Sequence, residues 1–264
     1  MLRKVLSALG VYRLYKKWLL HQIKDKPIPE HVAVILDGNR RWAARRKLEP
    51  WEGHRLGAKK AEEFLRWCLR LGVKTTTLYI FSTENFMRSK REVEELMELF
   101  EEYLNRLLYD PKVRGDVEKY RVRIKVIGRR DLLPDRLRRL VEKVEESTKD
   151  FGDHYLNLAI AYGGRAEIID AAREIARRVR DGELSPEDID ESIFEKFLYT
   201  SHLPNPDPDL IIRTSGEERL SGFLLWQSAY SELCFMDVYW PDFREIDFLR
   251  AIRTYQRRVR RFGR

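Results

Sequence analysis

Apolar side chains recur every three or four positions in five internal segments of the chain, which is the spacing of one buried face of an α-helix. The predicted helices span residues 52–71, 92–109, 134–148, 166–179 and 246–259. Two of their ends carry the expected signals, because Pro134 stands at the start of one helix and Asp181-Gly182 follows another.

Between these helices lie short apolar, β-branched or aromatic runs, which are typical of buried strands. The six predicted strands span residues 31–36, 75–81, 122–127, 155–161, 210–212 and 233–239. Strands that alternate with helices predict a parallel sheet covered on both faces. We therefore expect an α/β fold: a single domain with a central six-stranded, mostly parallel sheet flanked by helices.

The first 26 residues differ from this alternating body. One helical face of the segment is apolar and consists of Leu2, Val5, Leu6, Leu9 and Tyr12. Lysines and arginines interrupt this stripe, and no run reaches the roughly 18 apolar residues of a bilayer span. Two interpretations remain: a helix lying on a membrane surface, which we favour, or a basic helix packed on the body. Prolines 27 and 29 mark the boundary, so we divide the chain into an amphipathic helix, 1–26, and a main domain, 27–264.

The charge of the chain is concentrated at its ends. The 264 residues include 51 Lys and Arg, 43 Asp and Glu and two Cys, with a formal net charge of +8. Residues 1–26 carry +6, residues 250–264 carry +7, and the remainder carries −5. A basic total raises the hypothesis of a nucleic-acid binder, but no helix-turn-helix, RNP or zinc motif accompanies it. The two cysteines suit neither a disulfide framework nor a metal site, which favours a reducing, cytoplasmic compartment.

Polar side chains follow three of the predicted strands, where ligands of α/β sheets usually bind. These loops are residues 37–42, 82–88 and 213–221. In the first loop, a strand-to-helix turn with two arginines suits a phosphate, and Asp37 suits a Mg²⁺ ion that bridges to its oxygens. Each loop alone equally fits an ordinary turn with a capping residue and solvated charges. Together they predict phosphate chemistry with two anionic groups.

Missing motifs narrow the class of enzyme. The sequence has no G-x-x-x-x-G-K-[ST] loop, no G-x-G-x-x-G turn and no G-x-S-x-G elbow. It also lacks the D-D-x-x-D cluster of the all-helical prenyltransferases. These absences disfavour P-loop NTPases, dinucleotide enzymes, serine hydrolases and trans-type prenyltransferases.

Several segments resemble motifs of the cis-prenyltransferases, the undecaprenyl diphosphate synthase family. They are HVAVILDGNRRWA (31–43), GHRLGA (53–58), TLYIFSTENFMRSKREV (77–93), LNLAIAYGGRAEI (156–168) and DLIIRTSGEERLSGFLLWQSAYSEL (209–233). The DGNRRW form is similar to archaeal and eukaryotic members, so the resemblance is to an archaeal-type polyprenyl diphosphate synthase. Pro50 departs from the bacterial pattern, which has a phosphate-binding arginine there.

The resemblance implies Mg²⁺-dependent condensation of isopentenyl diphosphate onto an allylic diphosphate, geranylgeranyl or farnesyl diphosphate, with each new double bond cis. The implied product is a long-chain, undecaprenyl-like diphosphate, the precursor of a glycosyl carrier lipid. An apolar tunnel for the growing chain, a homodimer and peripheral association with the cytoplasmic membrane are also implied.

The resemblance further implies roles for particular residues. Asp37 is expected to act in catalysis and bind Mg²⁺, and Glu232 to be a second Mg²⁺ ligand at the dimer interface. Asn85 stands at the position of the family's proton acceptor, but a neutral amide is a poor base, so we expect it to orient and relay. The expected allylic-substrate residues are Gly38, Asn39, Arg40, Arg41, Trp42 and His54. Further expected substrate contacts are Ser82, Thr83, Glu84, Phe86, Arg88, Arg213, Arg219, Leu220 and Ser221. Arg261 and Gly263 are expected to reach the partner subunit.

One alternative within the family is a non-catalytic subunit of a heteromeric cis-prenyltransferase. Such subunits tend to lose the first loop, whereas Asp37 and its neighbours are present here.

Overall fold

The structure, a computed structural model, describes residues 11–258. Its centre is one six-stranded sheet with the strand order β3-β4-β2-β1-β5-β6. The strands are β1 (His31–Ile35), β2 (Thr75–Ser82), β3 (Val122–Ile127), β4 (His154–Tyr162), β5 (Leu210–Thr214) and β6 (Glu232–Met236). All six predicted strands are confirmed, and every pairing in this sheet is parallel.

Helices cover the sheet on both faces. Within residues 11–258 they are α1 (Val11–Ile23), α2 (Asn39–Ala44), α3 (Pro50–Leu71), α4 (Lys90–Tyr109), α5 (Pro111–Lys119), α6 (Asp135–Glu146), α7 (Gly164–Arg180), α8 (Glu191–Glu195) and α9 (Glu245–Arg257). The five predicted internal helices are confirmed, whereas α2, α5 and α8 were not predicted. These three are short and largely polar, so their sequences lack a clear apolar stripe.

An apolar cavity of about 190 Å³ lies between the sheet and helices α3 and α4. On β2, Thr76, Leu78 and Ile80 alternate into it, because successive strand side chains point to opposite faces. Leu65 and Leu69 of α3 line the cavity on the side opposite the sheet, and both side chains are only half-buried. An apolar cavity is therefore present between the sheet and these two helices, and its use as a tunnel for the growing chain stays a prediction.

Helix α1 packs against α9, the last helix of the described chain. Leu19 and Ile23 are buried there, and Lys16 Nζ lies 2.6 Å from Glu245 Oε2. For residues 11–23 the structure thus shows the second of our two interpretations, a basic helix packed on the body; residues 1–10 lie outside the described chain. No helix between residues 11 and 258 is long and apolar enough to cross a membrane.

Candidate active site

Asp37 and Arg213 meet at the carboxyl ends of β1 and β5, because Ile35 pairs with Arg213 in the sheet. Arg213 Nη2 donates to Asp37 Oδ2 at 2.8 Å, and Arg41 Nη2 donates to Oδ1 at 3.3 Å. Burial opposes ionisation of Asp37, but hydrogen bonds from Arg213 and Ser215 and the charges of both arginines outweigh it and lower its pKa. The sheet thus holds an ionised carboxylate beside two arginines.

Gly38 allows this turn to lie against the rest of the site. Its φ is +102°, and a Cβ atom there would lie only 2.7 Å from Cδ1 of Tyr239. The chain then enters α2 at once, which places Asn39, Arg40 and Arg41 at the start of a helix. Trp42, by contrast, is buried with the Arg46 guanidinium 3.9 Å from its ring centroid, so it supports α2.

The third loop brings a second set of cationic groups to the same edge of the sheet. Arg213, only 4% exposed, donates from Nη1 to Ser221 Oγ at 2.8 Å and also to the carbonyl of Arg219. Glu217 lies between two expected diphosphate-binding arginines, 2.8 Å from Arg41 Nη1 and 2.5 Å from Arg219 Nη1. A carboxylate in this position shows that the two arginines can share one anion.

The backbone of this loop is held by strand β2 and by the first residue of helix α7. Ser221 has a φ of +49°, which is unusual for a residue other than glycine. Tyr79 of β2 donates its hydroxyl to the Ser221 carbonyl at 3.3 Å, and Gly164 N–H donates to the Gly222 carbonyl at 2.7 Å. Leu220 packs against a small cluster of buried apolar side chains that includes Ile211 and Phe223, so its side chain anchors the loop.

The second loop is a short 3₁₀ helix, Thr83–Met87, that follows β2 directly. Ser82 N–H donates to Asn85 Oδ1 at 3.1 Å, so the amide oxygen of Asn85 accepts a backbone hydrogen bond, and its NH₂ group is the donor of this side chain. Phe86 packs edge-to-face on Phe81 with 4.8 Å between the ring centroids. Glu84 is exposed at the rim.

Glu92 on α4 is a site residue that the sequence analysis missed. It is 3% exposed, and its Oε1 lies 3.4 Å from Arg40 Nε, 3.3 Å from His54 Nε2 and 3.0 Å from Arg88 Nη1. Burial alone would raise the pKa of Glu92. The hydrogen bond with His54 and the charges of the two arginines outweigh burial, so the pKa of Glu92 is lowered overall. One buried carboxylate therefore holds three expected substrate residues from three helices or loops. The i,i+4 spacing of Arg88 and Glu92 was the one sequence signal for it.

Some expected site residues are not brought together in the described chain. Glu232 begins β6 at the opposite edge of the sheet from Asp37, and its Oε2 lies 2.8 Å from Arg258 Nη1. A Glu232–Mg²⁺ contact therefore stays a prediction that needs a partner subunit. Arg261 and Gly263 lie outside the described residues.

The residues around Asp37 fit a Mg²⁺ ion that is shared with substrate. Residues 11–258 contain no cluster of three or more His, Cys, Asp or Glu side chains arranged to hold a metal. Mg²⁺ commonly binds through one or two carboxylates, water and the phosphates of a substrate. Asp37 is ionised and partly exposed, so it could be such a carboxylate, with diphosphate oxygens completing the coordination.

Comparison with known proteins places the chain in a family. The family model described as putative undecaprenyl diphosphate synthase matches residues 35–263. Two curated archaeal relatives are both named tritrans,polycis-undecaprenyl-diphosphate synthase (geranylgeranyl-diphosphate specific). The Methanopyrus kandleri protein is 55% identical over 98% of this chain and 93% of its own length. The Pyrococcus abyssi protein is 54% identical over 96% of this chain and 94% of its own length.

Two solved structures share the fold. Lavandulyl diphosphate synthase from Lavandula x intermedia, in complex with dimethylallyl diphosphate, has a TM-score of 0.83 and 38% identity, covering 90% of this chain and 99% of that one. A probable undecaprenyl diphosphate synthase from Campylobacter jejuni has a TM-score of 0.71 and 33% identity, covering 90% of this chain and 100% of that one. The chain therefore belongs to the undecaprenyl diphosphate synthase family of prenyltransferases.

Proposed function

We propose that the protein elongates an allylic diphosphate with isopentenyl diphosphate, in a Mg²⁺-dependent reaction, to a long cis-polyprenyl diphosphate. The observation that carries this proposal is the position of Asp37 and its arginines next to an apolar cavity, which Leu36 and Asn39 on either side of Asp37 line. The cavity would take the isoprenoid tail of the primer, and the charged edge would take its diphosphate. The names of the archaeal relatives support geranylgeranyl diphosphate as the primer and undecaprenyl diphosphate as the product. Release in the cytoplasm as precursor of a carrier lipid stays a prediction.

The chemistry requires stabilisation of a leaving diphosphate and orientation of an alkene. Breaking the allylic C–O bond increases negative charge on the diphosphate, which a bound Mg²⁺ ion would help to neutralise. Arg41, which binds Asp37, is placed to hold oxygens of the allylic diphosphate. Arg213, Arg219 and Ser221 would hold the isopentenyl diphosphate beside it, and Arg213 and Ser221 are fixed to each other by a hydrogen bond.

The direct test is incorporation of labelled isopentenyl diphosphate by the purified protein with Mg²⁺ and either geranylgeranyl or farnesyl diphosphate. We expect a butanol-extractable polyprenyl product, more rapidly formed with the geranylgeranyl primer. Asp37→Asn should lower kcat/KM by at least about 100-fold, the scale of losing one preorganised electrostatic group. Absence of product with both primers would reject catalysis and favour the non-catalytic subunit.

We also propose that the protein forms a homodimer through the β6 side of the sheet. All five residues of β6 are only partly buried, although three of them, Leu233, Phe235 and Met236, are large and apolar. β6 is an edge strand, so the same half-buried apolar side chains on a second copy of this chain are suited to pack against it. Sedimentation equilibrium should give a dimer at assay concentrations.

Association with a membrane surface is proposed from the outer face of α1. Leu14 is 69% exposed and Trp18 is 45% exposed, while lysines and arginines flank them. Because Leu19 and Ile23 are in the core, point variants test this better than truncation. Leu14→Ser/Trp18→Ser should reduce co-sedimentation with anionic vesicles, whereas Ile169→Ser on exposed α7 should not. Equal binding by both variants would remove the proposal.

A further inference from the structure

Ser215, which follows β5 directly, has a left-handed backbone although it carries a side chain. Its φ is +83°, and the φ of Gly216 after it is +77°. Left-handed residues are normally glycines, because a Cβ atom then lies too close to the following carbonyl oxygen. Glycine takes the second of these two positions, whereas the first is a serine that is only 6% exposed. The conformational cost of a serine there points to a role for its side chain.

The neighbouring strand fixes the backbone of Ser215 in this conformation. Ser215 N–H donates to the Val238 carbonyl at 2.8 Å, and Gly216 N–H donates to the Met236 carbonyl at 3.0 Å. These bonds tie the turn after β5 to the end of β6, with which β5 pairs in the sheet. The direction of the Cα–Cβ bond of Ser215 is therefore set by the sheet.

The hydroxyl of Ser215 joins an arginine to the carboxylate at the end of β1. Arg41 Nη2 donates to Ser215 Oγ at 2.6 Å. Ser215 also forms a hydrogen bond with Asp37, which is one of the causes that lower the pKa of this carboxyl. Because an ionised carboxylate only accepts, the hydroxyl is the donor in that bond. One small side chain thus accepts from the cation and donates to the anion.

Three oxygen atoms hold the guanidinium of Arg41. Besides the contact with Ser215, Nη1 lies 2.8 Å from Glu217 Oε1, and Nη2 lies 3.3 Å from Asp37 Oδ1. Both carboxylates are partly exposed, and such ion pairs are weak, whereas the Ser215 contact is buried and the shortest of the three. The Arg41 side chain itself is 42% exposed, so a diphosphate oxygen can reach it. The hydroxyl is therefore the contact that best fixes the plane of the guanidinium.

Packing against Gly38 is the alternative reason for a side chain at this position. A Cβ atom added to Gly38 would lie 3.1 Å from Ser215 Cβ, so Ser215 occupies part of the space that the glycine leaves. Alanine would fill this space as serine does, with the same backbone conformation. The hydroxyl alone distinguishes the two residues, so the two explanations give different expectations for Ser215→Ala.

We propose that Ser215 is a positioning residue for the allylic diphosphate, because its hydroxyl holds the Arg41 guanidinium and the Asp37 carboxylate in the relative position that binds this group. This inference rests on the proposed function. Without the hydroxyl, Arg41 is freer to rotate, and a bound diphosphate must restrict this motion, which weakens binding. Arg213 has its own hydrogen bonds to Asp37 and Ser221, so binding of isopentenyl diphosphate should change less.

The test measures equilibrium binding of geranylgeranyl diphosphate to the full-length protein with Mg²⁺ and without isopentenyl diphosphate, followed by steady-state kinetics. For Ser215→Ala and Ser215→Gly, we expect Kd and KM for geranylgeranyl diphosphate to rise at least about tenfold, the scale of losing a hydrogen bond to a charged group. The KM for isopentenyl diphosphate should stay close to that of the wild type. Wild-type binding by Ser215→Ala would refute the proposal in favour of packing, and an equal rise for both diphosphates would also refute it.

Stability separates the hydroxyl from the backbone. Because glycine adopts a positive φ without strain, Ser215→Gly should unfold at a higher urea concentration than Ser215→Ala, although both bind the primer equally weakly. A variant that binds weakly only because it is less stable would not show this pattern.

The matched control is Lys47→Gly, which removes another side chain at a positive φ, 58°, from an exposed position. Its binding of geranylgeranyl diphosphate should match that of the wild type, and a loss as large as in the Ser215 variants would contradict the role of the hydroxyl. If the wild type binds the primer but makes no product, the proposed function fails, and the binding comparison still decides the role of Ser215.

Discussion

Acidic residues organise the arginines at the scale of single side chains. Asp37 holds Arg213 and Arg41, Glu217 holds Arg41 and Arg219, and Glu92 gathers a third group of cations. The position of Asp37 after a buried strand was readable from the sequence, because its loop follows an apolar run. Glu92 was not, since two of its three partners, Arg40 and His54, come from segments that only the folded chain brings together. A buried carboxylate with several cationic partners looks, in the sequence, like any acidic residue at the start of a helix.

Asn85 allows a residue-level test of how the amide works. Asn85→Asp keeps an oxygen that accepts the Ser82 N–H hydrogen bond, but replaces the NH₂ donor with negative charge. We expect kcat to fall by about 100- to 1,000-fold while the free energy of unfolding changes little, because the cap is kept and the donor is lost. Steady-state kinetics and urea denaturation measure the two effects. Full activity with an unchanged pH profile would show that the amide has no special role.

At the scale of elements, the packing of α3 depends on its glycines as well as on its apolar face. A Cβ on Gly53 would lie 2.2 Å from the Asn39 carbonyl oxygen, so α2 and α3 touch through their backbones. The apolar periodicity predicted α3 correctly, but it carried no sign of this contact. Helix propensity alone makes glycine unfavourable there, which indicates that close approach to α2 outweighs it.

Replacing a helical glycine with alanine usually stabilises a protein, whereas Gly53→Ala should destabilise this one. We expect it to destabilise the fold by about 1–3 kcal/mol, the cost of overpacking, and to raise KM for the allylic substrate as α2 shifts. Gly115→Ala in α5 is the control, because a Cβ there has open space around it, and it should stabilise by about 0.5–1 kcal/mol. Denaturant unfolding of both variants decides the matter; two stabilising substitutions would contradict the close contact.

On the scale of the whole molecule, a buried polar network crosses the sheet on the face opposite the cavity. His31 Nε2 lies 2.8 Å from Thr77 Oγ1, Asn157 Nδ2 donates to the same oxygen at 3.2 Å, and His202 Nε2 lies 2.9 Å from Asn157 Oδ1. The network joins β1, β2 and β4. Apolar runs predicted these strands one by one, but their order depends on pairing over long sequence separations, which such runs do not encode.

This network predicts that the protein loses stability in mild acid. Burial lowers the pKa of both His31 and His202 from 6.5 to about 4. Between these values the unfolded chain binds more protons than the folded one, so the free energy of unfolding falls as pH drops from about 6.5 to about 4. For fully buried His31 the loss would be about 3 kcal/mol. Urea denaturation from pH 7 to pH 4 measures it, and His31→Gln should flatten the slope; a pH-independent wild type would contradict the assignment.

The contact between α1 and α9 has a consequence for how the chain acquires its fold. Gln256 Nε2 donates to the carbonyl of Ile23, and Lys16 pairs with Glu245, so residues from the two ends of the sequence complete one part of the core. Likewise β1 pairs with β5, which lies about 180 residues later in the chain. During synthesis, β1 and α1 must therefore leave the ribosome long before the segments that cover them. Part of their apolar surface therefore stays uncovered until β5 and α9 have been synthesised.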